Sequence, residues 1–273
     1  SDTGAAGLTL GGGFGRLGRR FGLACDNVES FTLVTADGRF QRASASENPD
    51  LHWGLRGGGG NFGVVTSIEY RLHPVKPVIL GGYLMWPLDQ ARDVLRFYRD
   101  MAMDAPEVAN LTFDLHWQED KPFVGIEACW SGDDHAEGLA WLKPLRAFGK
   151  VEYDDVAPMP YVKLQSDSEP RNPHGDYYYL KSGFVVALAD QGIDHLVDVY
   201  PRTPGLYTVF SEHCGAAYGR TALQDSAFPR RDMNFSLAIY GHWKDPDASE
   251  DKVEKMRAAW SELQPLTRGF YTN

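Results

Sequence analysis

With 273 residues, 43% of them hydrophobic, the chain exceeds one typical domain and carries enough apolar surface to pack a core, so two domains or lobes are expected. A formal net charge of -10, from 27 basic and 37 acidic residues, argues against a nucleic-acid partner or an anionic membrane surface. The three cysteines, Cys25, Cys129 and Cys214, are widely spaced and form no C-x-x-C pair, so neither a disulfide framework nor a metal site is expected.

No apolar run approaches the roughly 20 residues of a membrane span, and nothing at Ser1 has the basic start and apolar middle of a signal peptide. The expectation is a soluble chain, with compartment and oligomeric state left open. "SDTGAAG" enters a glycine-rich stretch without an initiator Met, which reads as a fragment whose natural start lies upstream.

In chain order, "SFTLVTADGRFQRAS" alternates around Asp37-Gly38 and predicts a hairpin over Phe31–Ala43. Asn48 as N-cap and Pro49 at the first helical position predict a short helix to about Arg56. The β-branched run from Val64 to Leu72 predicts a strand. Beyond Pro74 and Pro77 the texture changes. Val78–Trp86 reads as a strand, and Leu88, Ala91, Val94, Leu95 and Tyr98 form the apolar stripe of a helix. Two strands follow in "NLTFDLHWQE" and "KPFVGIEACW", then a helix over about Asp134–Phe148 and a proline-rich loop through "VAPMPY". Strands at "DYYYLKSGFVV", "GLYTVFSEHCG" and "MNFSLAIYGHW" alternate with helices at "DQGIDHLVDVY" and "SEDKVEKMRAAWSELQ". This is an α+β pattern, an antiparallel sheet with helices on one face. Phe184–Trp260 follows the element order of Val78–Trp141, which raises a structural duplication.

Two glycine-rich stretches stand out. Gly13-x-Gly15-x-x-Gly18, with Asp37 about 20 residues on, satisfies a dinucleotide fingerprint, but only Arg19–Asn27 separates Gly18 from the next strand and Asp37 sits in a hairpin turn. "RGGGGNFG" runs helix, loop, strand, the reverse of a P-loop. Without a Cβ, both stretches can adopt positive φ and let a planar or anionic ligand lie on main-chain N–H groups. Tight turns packed on one another are the alternative.

"TGAAGLTLGGGFGRLGRRFGLACDNVESFTLVTADG", followed by "ENPDLHWGLRGGGGNFGVVTSIEYRLHPV", resembles the second half of the PCMH-type FAD-binding domain in berberine-bridge-type FAD-linked oxidases, within the vanillyl-alcohol-oxidase superfamily. The resemblance covers Thr3–Pro74. It continues more weakly through "APMPYVKLQS", "YYYLKSGF", "AFPRRDMNFSLAIYGHW" and "GFYTN". It implies residues 1–76 as the second FAD-binding subdomain, with the first subdomain and its flavin-attaching residue upstream. Residues 77–273 would be an α+β substrate domain ending before the segment that closes over the flavin. FAD would then meet Thr3, Gly4 and Gly7, with Gly11, Gly12 and Gly13 in the following turn. Asn27 and Val28, together with Asn61, Gly63, Val64, Val65 and Asn273, complete the implied cofactor set.

The implied reaction is hydride transfer from an alcohol-type carbon to flavin N5, with O2 as acceptor and a small molecule as substrate. Tyr271 matches a tyrosine that serves as base or flavin neighbour in several members. On the strand "MNFSLAIYGHW" the period of two places Phe235, Leu237, Ile239 and Trp243 on one face and Ser236, Ala238, Tyr240 and His242 on the other. Some relatives carry a carboxylate or amide at the position of Ala238, so Tyr240 or His242 would take over acid–base work. Tyr178 and Lys181 are candidate substrate contacts, and an aromatic wall suits a sugar or a polycyclic product. The alternative is a non-enzymatic fragment or binding module that holds no flavin.

Overall fold

The computed structural model describes residues 4–167 and 172–271. The chain separates into two compact units, one of residues 4–75, Cys214–Met233 and Tyr271, the other of Lys76–His213 and Asn234–Phe270. The first unit thus includes a segment 140 residues beyond the Pro74–Pro77 boundary seen in the sequence.

In the first unit the glycine-rich start forms α1 (Ala5–Leu10), a tight bend at Gly11–Gly13, and the single turn α2 (Gly18–Phe21). No full helix follows Gly18, as the sequence spacing requires. The hairpin strands β1 (Val28–Val34) and β2 (Phe40–Ser44) pair antiparallel around the Asp37-Gly38 turn. After α3 (Pro49–Leu55), β3 (Val64–Tyr70) returns to the other side of β1, giving the order β2-β1-β3. A small core of Leu10, Val28, Phe31, Leu33, Ala43 and Leu55 covers one face. Asn48 precedes α3 as expected but does not cap it. Its backbone is left-handed, and its amide donates to the Arg42 carbonyl at 2.7 Å.

The second unit is an eight-stranded antiparallel sheet. It is built from β4 (Val78–Pro87), α4 (Ala91–Met103), β5 (Ala109–Gln118), β6 (Lys121–Trp130), α5 (His135–Arg146), β7 (Tyr153–Asp154), β8 (Ala157–Pro160), α6 (Tyr161–Ser166), β9 (Tyr177–Val185), α7 (Asp190–Val199), β10 (Thr208–His213), β11 (Phe235–Trp243) and α8 (Ser249–Leu263). The order is β7-β4-β6-β5-β10-β11-β9, with β8 also on β4.

Strand-helix-strand-strand-helix occurs twice, and the triplets β4-β6-β5 and β10-β11-β9 meet in reversed order at the β5–β10 seam. The duplication raised by element order is therefore present in the topology. The proline-rich stretch expected as a loop contains β8, which pairs with β4 through Val78–Pro160 and Leu80–Pro158. Prolines lack the N–H a central strand needs, so they sit where pairing is one-sided.

The apolar face of this sheet, with Leu84, Trp86, Phe113, Leu115, Ile126, Val209, Leu237 and Ile239, is buried beneath helix residues such as Val94, Tyr98, Leu196 and Trp260. Across the α4–α7 surface, Arg96 meets Asp194 at 2.6 Å and Asp190 at 3.5 Å, while Arg92 reaches Asp194 at 3.4 Å and also pairs with Asp198. All three cysteines are buried thiols outside any disulfide.

Candidate functional site

The glycine bends of the first unit serve two purposes. Gly12 and Gly13 have φ of 123° and 92°, where a side chain is strained, and a Cβ on Gly12 would stand 2.6 Å from the Phe228 ring. Gly57, with φ of 110°, would likewise strike Phe228 at 2.6 Å, while Gly18 lies against the Tyr218 hydroxyl. Tyr218 donates to the Gly15 carbonyl at 3.0 Å and accepts from the Gly15 N–H at 3.2 Å. The Phe228 and Tyr218 rings therefore fill the notches at Gly12 and Gly18, and the Phe228 main chain and Cβ fill the one at Gly57. The bends also meet one another, since the Gly59 N–H donates to the Leu10 carbonyl at 2.9 Å.

The amides of the first bend are committed. Gly11 donates to the Gly7 carbonyl, Gly12 to that of Thr9, and Gly13 to the Tyr271 hydroxyl at 3.1 Å. Gly4 and Gly7 differ from them, because both are exposed and a Cβ on either would meet nothing within 4 Å. A Cβ on Gly15 or Gly60, both exposed, would likewise meet nothing within 4 Å.

The Asn27 amide donates to the carbonyls of Phe21 and Leu23 and its oxygen bonds His73 at 2.5 Å, while Val28 lies in the core. Both belong to the frame rather than to open surface. Asn61 donates to the Gly58 carbonyl and is exposed, as is Val64 at 72%. Gly63 needs its missing Cβ because the Val34 carbonyl lies against it, and the neighbouring Val65 is half-buried. Thr3 and Asn273 lie outside the described residues.

A buried ion pair locks the distant segment in place. Arg231 and Asp26, with side chains 5% and 7% exposed, form a bidentate pair at 2.7 and 2.9 Å. Arg231 also donates to the Ser226 hydroxyl at 2.6 Å, and Arg56 approaches Asp26 at 3.7 Å. Burial pushes the adjacent Cys25 thiol up to about 12, with the Asp26 charge acting in the same direction. Tyr271 is seated on the first bend, accepting from the N–H groups of Gly13 and Phe14 and packing edge-on to Phe14 at 4.7 Å.

On the second unit, the face of the sheet away from the core carries the other predicted residues. His242 stacks on Tyr178 at 5.4 Å, and its Nδ1 bonds Asp176 at 2.9 Å. Tyr240 lies in register with Thr208 and packs edge-on to Phe210. Lys181 is placed apart from these. The strand's period of two turns it toward the helix layer, where its ammonium and the Arg257 guanidinium both approach the Tyr179 ring.

Sequence patterns alone did not reveal a cluster on the same face as Tyr240. Asp114 accepts from the Tyr83 hydroxyl at 2.7 and 2.8 Å and bonds His116 Nδ1 at 2.6 Å. The alternation in "LTFDLHW" could have placed Asp114 and His116 together, but Tyr83 arrives from another strand.

No family model matches the chain. An FAD-linked oxidoreductase of Dictyostelium discoideum is 29% identical over all of this chain and 60% of its own length. The structure of BBE-like 1 from Physcomitrella patens superposes with a TM-score of 0.86 over 98% of this chain and 62% of that one, at 20% identity. The chain has the berberine bridge enzyme-like fold. A chitooligosaccharide oxidase also matches, with a TM-score of 0.82 and 21% identity over 98% of this chain and 62% of its own. The resemblance carried by the glycine motifs thus stands: sequence homologues are FAD-linked oxidoreductases, and the berberine bridge enzyme-like fold extends over nearly the whole chain. This chain spans about three fifths of the length of these relatives.

Proposed function

We propose that the protein is an FAD-dependent oxidoreductase that removes a hydride from an alcohol-type carbon of a sugar or natural product, with O2 as electron acceptor. The observation that carries this reading is the bare, exposed main chain at Gly4 and Gly7, in a unit whose two glycine bends touch through Gly59 and Leu10. Side chains there would serve no packing purpose, whereas a flat, anionic cofactor requires close approach to backbone. The residues present fit FAD in part. Gly4, Gly7, Asn61 and Val64 are exposed, while Gly11–Gly13 and Val28 are buried and Asn27 is half-buried, so these belong to the frame.

A bound flavin would supply the two-electron acceptor at N5. The chain's own residues must take the hydroxyl proton and hold the substrate. Tyr271, Tyr240 and His242 are the candidates that the sequence offers for the proton, and Asp176 fixes the His242 ring so that Nε2 is the nitrogen presented. Tyr178 provides an aromatic surface for a sugar ring.

The full-length protein should be yellow, and the colour should survive acid precipitation if the link is covalent. Peroxide release over glucose, chitobiose and secondary alcohols identifies an oxidase, and reduction of a dye without peroxide identifies a dehydrogenase. A second reading, a flavin-free binding module, draws on Phe228 and Tyr218 filling several glycine notches with no cofactor needed. A colourless full-length protein would establish it.

A further inference from the structure

Resting on the oxidoreductase reading, we infer that His116 is a catalytic base of this protein, acting through Nε2, with Asp114 and Tyr83 as its positioning residues. His116 Nδ1 lies 2.6 Å from Asp114 Oδ1, and an ionised carboxylate can only accept, so the ring proton sits on Nδ1. Nε2 is then the basic nitrogen, and it makes no hydrogen bond within the described residues. The ring is held on its flank by Phe123, stacked at 6.0 Å and 26°. Its side chain is 15% exposed and that of Asp114 19%, sheltered from bulk water without being sealed.

The second positioning contact has an unusual construction. Tyr83 is on β4 and Asp114 on β5, with β6 between them in the sheet. The phenol crosses β6 directly above Gly125, which pairs with Asp114. A Cβ on Gly125 would overlap the Tyr83 hydroxyl and stand 2.9 Å from Asp114 Oδ1. A glycine inside a strand ordinarily weakens it. Here it provides the opening through which a tyrosine reaches a carboxylate two strands away. With both carboxylate oxygens held by Tyr83 and one shared with His116, Asp114 cannot rotate away from the imidazole.

The position suits the chemistry assigned to the protein. Asp114 is in register with Phe210 and Ala238, and Thr208 with Tyr240. His116 and Tyr240 therefore share one face, two strands and roughly 10 Å of backbone apart, a spacing that admits a sugar ring between side chains. In the inferred step the substrate hydroxyl O–H breaks and its proton goes to His116 Nε2. A bound flavin would supply the two-electron acceptor for the C–H hydride, and the carbinol carbon would become a carbonyl. The carbon would be oxidised by that acceptor, and His116 would end as imidazolium beside Asp114.

The test uses full-length holoenzyme and His116→Asn, whose side-chain amide can keep the Asp114 hydrogen bond while removing Nε2. Anaerobic flavin reduction by the most reactive of glucose, chitobiose and a secondary alcohol should slow by about 100-fold or more, the usual scale for loss of a general base. Flavin content and melting temperature should be unchanged. In parallel, 15N NMR of histidine-labelled wild type should show His116 protonated at Nδ1 and bare at Nε2, and Asp114→Asn should abolish that preference. Reduction within threefold of wild type in His116→Asn, or a proton found on Nε2, overturns the inference and leaves the oxidoreductase reading intact. A full-length protein that holds no flavin, or whose flavin no alcohol reduces, overturns both.

Discussion

Replacing Arg231 with methionine should be among the most damaging single changes to the first unit. The guanidinium donates twice to Asp26, once to Ser226 and once to the Tyr218 carbonyl at 3.2 Å, and the side chains of Arg231, Asp26 and Ser226 are all buried. Removing one partner of a buried ion pair costs about 3–5 kcal/mol, because the remaining charge stays desolvated. Asp26 would keep the Leu23 N–H at 3.0 Å and Arg56 at 3.7 Å, which places the ionic part near the low end. The buried Ser226 hydroxyl loses its donor, adding about 1 kcal/mol. The sum is about 4 kcal/mol, a fall in melting temperature of roughly 10 °C for a protein of this size. Urea unfolding of Arg231→Met, Asp26→Asn and the double variant measures it. Hydrogen exchange should accelerate first in Cys214–Met233, the segment the pair anchors. Asp26→Asn with Arg231→Met should cost clearly less than the two single losses added. A loss below about 1 kcal/mol for Arg231→Met, or strict additivity, would refute the claim that this pair fastens the segment.

The glycines predict opposite outcomes according to what surrounds them. Gly7→Ala, inside a helix with open space around it, should raise apoprotein stability by about 0.5–1 kcal/mol while lowering flavin retention, read by unfolding and by absorbance after gel filtration. Gly12→Ala, with φ of 123° and Phe228 at 2.6 Å, should destabilise by about 2–4 kcal/mol in the same unfolding assay. Gly125→Ala should separate Tyr83 from Asp114 and destabilise by about 1–3 kcal/mol, and Tyr83→Ala, which removes the ring carbon at 2.2 Å together with the overlapping hydroxyl, should suppress most of that difference in a double-mutant cycle. Cys25, held at about 12 against 9.0 for a free thiol, should resist iodoacetamide at pH 8 until the protein unfolds. Because the folded value is the higher one, the unfolded state ionises first. Stability from this group is unchanged below pH 9 and then falls by about 1.4 kcal/mol per pH unit toward 12. Cys25→Ala should flatten that slope in chemical unfolding followed from pH 8 to 11.

Local pattern was enough for much of this protein. The Asp37-Gly38 hairpin, the α4 stripe and the alternation of β11 are governed by neighbours along the chain, so residues such as Leu237 and Tyr240 are assigned to opposite faces by alternation alone. The glycine motifs carried a family resemblance for the same reason, since bare backbone leaves its mark at fixed spacing. What the sequence could not disclose is which distant group enters each bare bend. Tyr218 and Phe228 reach Gly15, Gly18, Gly12 and Gly57 from about 200 residues away, and Arg231 finds Asp26 across a similar separation. Gly125 has no local reason to be glycine, and only the pairing of β4, β6 and β5 puts Tyr83 above it. Chain neighbours select strands, turns and faces. Close approach between residues far apart in sequence depends on sheet order and packing, and those are fixed only when the whole chain has folded.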